Sequence, residues 1–433
     1  MKRSALSAPR RRPKWGLLLV FLTFVAPTVA AEDGPIKVGV LHSLSGTMAL
    51  SETALKETVL MLIEDQNKKG GLLGRKLEPV VVDPGSDWDL FAEKSRELLT
   101  KDQVAVVFGC WTSASRKSVL PVFEELNGLL YYPVQYEGEE SSRNVFYTGA
   151  APNQQAIPAV RYLMSKEGGE VRRWVLLGTD YVYPRTTNRI LQAYLGTEGT
   201  SPDDIMTIYT PFGHADWSGI IEKIKTFGSA GRKTAVISTI NGDANTHFYK
   251  ELAAQKVDAG VIPVMALSVG ERELIRVDTK PLAGHLATWN YFHSVKSSEN
   301  DAFVRMWVNF TGNRDEVTND PMEATFVGFR MWTQAVAQAG TTDVSAVRQA
   351  MYGQRVKAPS GFEEVMNTNH HLSKPVMIGK LNSLGRFDVV WQSISSVRAD
   401  AWSKYIPDSA RRTADWTFPW VCGGCVEPTF KEW

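Results

Sequence analysis

Residues 104–126 read VAVVFGCWTSASRKSVLPVFEEL. A run of Val and Phe closes at Gly109, gives Cys110-Trp111-Thr112-Ser113, and passes into helical spacing. The chemistry open to such a strand end is recognition. The first N–H groups of the following helix have no partner inside it, and the helix dipole is positive there. Those donors, with the hydroxyls of Thr112 or Ser113, suit an oxygen acceptor, either carboxylate or carbonyl. The indole of Trp111 offers a flat apolar wall for a small planar group. Capping of the helix by Ser113 or Ser115 accounts for the hydroxyls without any ligand. It leaves the aromatic unexplained, although a Trp at a strand end is more often core than ligand wall.

Bond-breaking chemistry has no comparable signature. Gly-x-Ser-x-Gly, His-Glu-x-x-His and Gly-x-x-x-x-Gly-Lys-Ser/Thr are all missing from the sequence. The seven histidines are scattered, and His370-His371 reads as a solvated pair in a polar loop. No catalytic residue, metal site or cofactor is expected, and the chain is not read as an enzyme.

The elements that would position these residues alternate. Strands are expected over 36–41, 77–83, 104–109 and 129–132, with helices over 52–67, 89–100 and 116–126 between them. After a crossover near Gly149-Ala150-Ala151-Pro152-Asn153 the rhythm restarts. Helices over 156–166, 185–194, 218–226 and 246–255 separate strands over 173–178, 204–209, 234–238 and 262–266. Helices over 300–310, 324–339 and 344–351 follow a third transition at Trp289-Asn290-Tyr291, and 376–381 with 387–392 reads as a closing hairpin. Short apolar strands separated by helices imply mostly parallel sheets covered on both faces. The expected fold is therefore α/β, with two doubly wound parallel-sheet lobes joined by a multi-strand hinge. Lobe 1 is expected over 32–150 plus 290–357, lobe 2 over 151–289 plus 358–395, and a tail over 396–433. Ligands of such sheets sit beyond the C-terminal strand ends, which selects loops 43–47, 110–113, 133–137, 179–183, 241–243 and 268–271.

Residues 1–31 are expected to be a secretory signal peptide. Six basic residues precede an apolar run from Trp15 to Ala26, too short to span a bilayer, and small residues follow at 27–31. Without those six charges the chain's formal +1 becomes −5. No basic stripe with interleaved aromatics remains, so nucleic acid is not an expected partner. Of three cysteines, Cys422 and Cys425 form Cys-Gly-Gly-Cys near the C-terminus. In an oxidising compartment they are candidates for a small disulfide, the rival being a redox-active motif.

The stretches FGCWTSASRK (108–117), YPVQYEG (132–138), NVFYTGAAPNQQ (144–155), DYVYPR (180–185) and DPMEA (320–324) carry a resemblance. They and the order of elements resemble the type I periplasmic substrate-binding proteins of the leucine/isoleucine/valine group. Within that group they look most like the urea-binding component of a urea ABC transporter, with amide-sensing proteins as relatives. The resemblance implies a periplasmic protein that closes on a small ligand, urea or a short amide, and serves membrane permease subunits with associated ATPases. It implies that Trp111, Thr112 and Ser113, with Gln135 and Tyr136, grip the ligand's polar head. The opposite lobe would present Tyr181 or Tyr183 and the loop at Asn241-Gly242-Asp243. Urea has one carbonyl and four N–H groups, and each buried group left unpaired costs about 1–3 kcal/mol. Gln135, Glu137, Asp180, Asp243 and the tyrosine hydroxyls are the acceptors at strand ends. The alternative is an amino-acid-binding protein of the same class, with Asp243 facing the ammonium, or a ligand sensor.

Overall fold

The computed structural model describes residues 34–407, with Met1, Ala8 and Ser409 besides. The expected signal segment, those two residues apart, and Cys422-Cys425 lie outside the described residues. The chain opens with β1 (Ile36–Leu41), α1 (Ala49–Lys68), β2 (Leu77–Val82), α2 (Trp88–Thr100), β3 (Val106–Gly109), α3 (Ser113–Glu125), β4 (Leu130–Tyr132) and β5 (Val145–Tyr147). It continues through α4 (Ala156–Met164), β6 (Arg173–Thr179), α5 (Val182–Thr197), β7 (Ile205–Thr210), α6 (Ser218–Gly228), β8 (Thr234–Thr239), α7 (Ala244–Ala254), β9 (Val264–Ala266) and β10 (Leu286–Trp289). Helices α8 (Ser298–Thr311), α9 (Asp320–Ala339) and α10 (Val344–Met351) follow. Six short strands close the described fold: β11 (Arg355–Lys357), β12 (Glu363–Met366), β13 (Leu372–Lys374), β14 (Met377–Leu381), β15 (Phe387–Gln392) and β16 (Val397–Arg398).

Three sheets result. The first is parallel, in the order β2-β1-β3-β4-β5. Its inner strands β3 and β4 are buried along their whole length, as helices on both faces require. Edge strand β2 carries Pro79 and is largely open to solvent, which an edge tolerates because the missing N–H faces no partner. The second sheet runs β15-β14-β10-β9-β8-β6-β7, parallel except where β14 meets β10 and β15. The third is small and antiparallel, β11-β12-β13-β16. Its Met366 and Leu372 belong to the apolar core of the first sheet, where Phe108 packs on Tyr131 with ring centres 5.0 Å apart and against Phe329 and Trp332 of α9. Residues 358–395, which the sequence assigns to lobe 2, thus divide, Ala358, Met366 and Leu372 packing with the first sheet.

Three connections pass between the parallel sheets: after β5, after β10 and after β13. The buried side chain of Asn290 ties all three. Its Nδ2 donates to Gln154 O (3.1 Å) and Pro375 O (2.6 Å), while its backbone N–H donates to Asp320 Oδ2 (2.8 Å). A single amide thus pins the places about which one sheet would turn against the other.

Beside the second connection lies Glu271, whose Oε1 accepts from His293 N (3.2 Å) and whose residue is buried. Burial pushes its carboxyl up to about 8, over the lowering influence of backbone N–H groups and Arg386. Between the ordinary 4.5 and about 8 the folded chain keeps this proton and the unfolded chain does not, so the stability it contributes is lost as pH rises. Glu271→Gln does not titrate. Its stability relative to wild type should therefore climb through that window by up to about 1.4 kcal/mol per pH unit in guanidinium denaturation. A constant difference from pH 5 to 8 would refute it.

Candidate ligand site

Loops at the C-terminal ends of the two parallel sheets meet. Trp111 Nε1 donates to Asn241 Oδ1 (3.4 Å), Gln135 Nε2 to Ser268 Oγ (2.9 Å), Ser51 Oγ to Glu273 Oε1 (3.1 Å), and Asp243 N to Thr47 O (3.3 Å). Each pair joins a residue of the first sheet's side to one of the second's. The cleft is closed.

The opening stretch of the sequence owes its shape to a turn. A Cβ on Gly109 would meet Leu41 O at 2.7 Å, so β3 can end against β1 only with glycine there. Cys110 then takes φ 68°, a left-handed conformation that few side chains adopt without strain, while its N–H donates to Leu41 O (3.0 Å). The chain swings outward and α3 begins. Thr112, in extended conformation, is the cap: its Oγ1 accepts from Ser115 N (3.0 Å). The cap was expected at Ser113 or Ser115. With Thr112 doing that work, the Ser113 hydroxyl turns inward and donates to Glu137 Oε2.

Beneath this contact lies a buried ion cluster. Arg116, fully buried on α3, donates from Nη2 to Glu137 Oε1 (2.9 Å), from Nη1 to Ser113 Oγ (3.1 Å) and from Nε to Glu140 Oε1 (2.7 Å). Lys117 Nζ donates to Glu140 Oε2 (2.7 Å). Two cations face two carboxylates, so the cluster neutralises itself. Burial alone would raise the Glu140 carboxyl, but Arg116 and Lys117 outweigh it and hold it well below the usual range. The guanidinium lies 4.8 Å from the ring centre of Tyr132 and 4.7 Å from that of Tyr136. The Tyr136 hydroxyl donates to Glu140 O (3.0 Å) and meets His371 Nε2 at 2.5 Å.

His370-His371, expected in solvent, is buried. The His370 ring stacks on Phe146 at 4.5 Å and the His371 ring on Tyr147 at 4.5 Å. Burial pushes both imidazoles down to about 4. They act as flat neutral packing groups under the first sheet.

Of the ten residues singled out from the sequence, seven come together and three do not. Trp111, Thr112, Ser113, Gln135 and Glu137 gather at the first sheet's end of the cleft, whereas Tyr136, expected to grip the ligand, turns into the first sheet's core, where its ring stacks on Tyr147 (4.9 Å) and its hydroxyl is held by Glu140 O and His371. Tyr181 and Tyr183, buried at the start of α5 with ring centres 6.2 Å apart, come from the second. Asp180 instead pairs with Arg185 (2.5 Å) at a position about one-third exposed, and Asp243 is exposed at the start of α7. Sequence reasoning missed Arg116 and Glu140, which hold Ser113 and Glu137, and Tyr132, whose hydroxyl donates to Trp111 O (2.6 Å). It named the loops of Asn241 and Ser268 without choosing those residues.

Beside these paired loops, two buried polar side-chain atoms take no hydrogen bond among the described residues. Gln135 Oε1 is one; Tyr183 Oη is the other, close to Ser268 and Gln135 but without bonding geometry to either. One accepts and one donates, and neither carries charge.

The chain matches the family model of the periplasmic binding protein domain over residues 36–408, and it belongs to that family. Its fold is the type I periplasmic binding protein fold. A solute-binding protein of an ABC transporter from Rhodopseudomonas palustris HaA2, solved with p-hydroxybenzoic acid, superposes with TM-score 0.73 at 20% identity, over 84% of this chain and 98% of that one. LivJ from Streptococcus pneumoniae, a branched-chain amino acid transporter substrate-binding protein solved with isoleucine, gives TM-score 0.68 at 16% identity, over 84% and 99%. At these identities the likeness is one of fold. A limonene hydroxylase from Geobacillus stearothermophilus is 33% identical over 141 residues, 32% of this chain and 26% of that protein. The chain thus spans about a quarter of that relative's length.

Proposed function

We propose that this protein is the extracytoplasmic solute-binding component of an ABC transporter. It captures urea or another short amide in the closed cleft and delivers it to membrane permease subunits with associated ATPases. In this reading residues 1–31 direct it to the periplasm. One observation carries the choice of ligand: the buried cleft offers unpaired neutral groups, while the charges beside them cancel among themselves. Urea's carbonyl accepts from Tyr183 Oη, and one of its N–H groups donates to Gln135 Oε1. Glu137 and the Tyr181 hydroxyl stand near for the remaining donors, and Trp111 covers the planar face. Each pairing recovers the cost of an orphaned buried group.

An amino acid asks for something else, a counter-charge for its ammonium. Asp180 is committed to Arg185 and Asp243 faces solvent, so neither supports that alternative. Binding energy reaches function through closure, because a ligand shifts the open–closed equilibrium only by contacting the closed form more tightly.

Calorimetric and thermal-shift titration of the mature chain with urea, formamide, acetamide, leucine and valine tests this. Saturable binding and a raised Tm are expected with urea or a short amide and not with the amino acids. A response to leucine or valine alone would replace this reading with the alternative.

A further inference from the structure

Beside the paired loops lies a cavity of about 380 Å³ that the amide reading leaves unused. Its walls are apolar and mostly aromatic: Met48, Trp88, Phe91 and Phe212. Its polar lining carries Thr47, Ser86, the buried Glu52 and two exposed carboxylates, Asp87, which caps α2, and Asp89, and no basic residue. Thr112 also lines it, one residue before Ser113. Phe212 follows β7 of the second sheet; its ring centre lies 6.0 Å from that of Trp88 and 4.9 Å from that of Tyr181. The cavity therefore adjoins the ligand site and takes one wall from the opposite side of the cleft.

Glu52 gives this space its chemistry. The side chain is 1% exposed. Its Oε2 accepts from Ser43 N (2.8 Å) and lies 3.4 Å from His42 Nδ1, whereas Oε1 takes no bond among the described residues. Burial pushes the carboxyl up against the lowering pull of His42 and of the Ser43 N–H and hydroxyl, which do not fully offset the loss of water. A carboxylate ligand would be repelled here, and an alkyl group would leave Oε1 buried and unpaired. An ammonium group brings three donors and no acceptor, and aromatic ring faces attract it as well.

We infer that this cavity is a subsite for an alkylammonium group, so that the cleft accepts ligands joining an amide head to a protonated amine through a short chain. The head's position rests on the proposed amide function; the ammonium subsite stands on the cavity alone.

The probes are n-butylammonium and its neutral counterpart n-butanol, titrated calorimetrically into the mature protein, followed by N-(4-aminobutyl)urea against N-butylurea. The charged member of each pair should bind about tenfold tighter, a difference in the range of a partly desolvated cation–π contact beside a buried carboxylate. Glu52→Gln, which keeps the acceptor for Ser43 N, should erase that preference and leave the urea response as it was. Trp88→Leu should weaken n-butylammonium as well, and it serves should Glu52→Gln not fold. Equal binding of the charged and neutral probes, or a preference surviving in Glu52→Gln, overturns the subsite. The two readings fail separately: an ammonium preference without a urea response keeps the subsite and sinks the amide head, and the converse keeps the head and sinks the subsite.

Discussion

Arg116→Met is expected to destabilise the protein by about 4 kcal/mol and to remove measurable ligand binding, the range seen when one partner of a buried ion pair is deleted. The guanidinium is fully buried and satisfies Glu137, Glu140 and Ser113 at once. Without it, Glu140 retains Lys117, but Glu137 keeps only the Ser113 hydroxyl. Ser113 and Glu137 then lose the anchor that fixes them at the cleft, so binding falls for a reason separate from stability. The pH dependence tells this mechanism from a simple packing loss. In the wild type the depressed Glu140 carboxyl contributes stability above the usual 4.5 that is lost only as pH falls through its folded value. In the variant burial acts on the Glu140 carboxyl against Lys117 without Arg116, so that carboxyl titrates higher than in the wild type and taking up a proton relieves it. The gap between variant and wild type should therefore narrow from pH 7 to pH 5 in guanidinium denaturation. Adding Glu137→Gln to Arg116→Met should recover part of the loss. A cost below about 1 kcal/mol, or a gap that widens on acidification, would show that the cluster does not bear this weight.

The outline of the fold was legible because long parallel strands and their helices leave strong periods. Strand β1 runs over 36–41 as read, and the β14–β15 hairpin is offset by one residue at its start. Strands β5, β11, β13 and β16 have two or three residues each, fewer than a period needs to show. A three-residue β5 leaves no period in the sequence, so nothing there shows that Phe146 and Tyr147 stack on His370 and His371, and the pair reads as solvated although it is buried.

In the site, position was readable and direction was not. A residue at a strand end is placed near the cleft by topology, which brings Trp111–Ser113, Gln135, Glu137, Tyr181 and Tyr183 to the meeting loops, while Tyr136 turns into the core. Whether its side chain faces the cleft depends on the phase of the following helix. Asp180 and Asp243 share the topological address of their neighbours, but one turns to Arg185 and the other to solvent. Arg116 shows the reverse. A cation in an amphipathic helix reads as a solvated face, and only the two glutamates arriving 21 and 24 residues later allow it to be buried.

Tyr183→Phe is expected to weaken urea or amide binding about 10- to 100-fold, while the ligand-free protein becomes no less stable and gains up to about 1 kcal/mol. The two halves share one cause. The hydroxyl is buried in the closed cleft without a hydrogen bond among the described residues, so the closed form without ligand bears its desolvation and receives no bond for it. Phenylalanine removes that burden and keeps the ring against Tyr181. In the complex the same hydroxyl would be the donor to the ligand carbonyl, and there its removal is felt in full. Tyr132→Phe supplies the contrast. Its hydroxyl already donates to Trp111 O at 2.6 Å, so that variant should lose about 1 kcal/mol of stability with or without ligand. Thermal denaturation of both variants without ligand, followed by calorimetric titration, separates them. If Tyr183→Phe destabilised the free protein as Tyr132→Phe does, or bound urea with wild-type affinity, the hydroxyl would be a structural group and the amide carbonyl would have lost its donor.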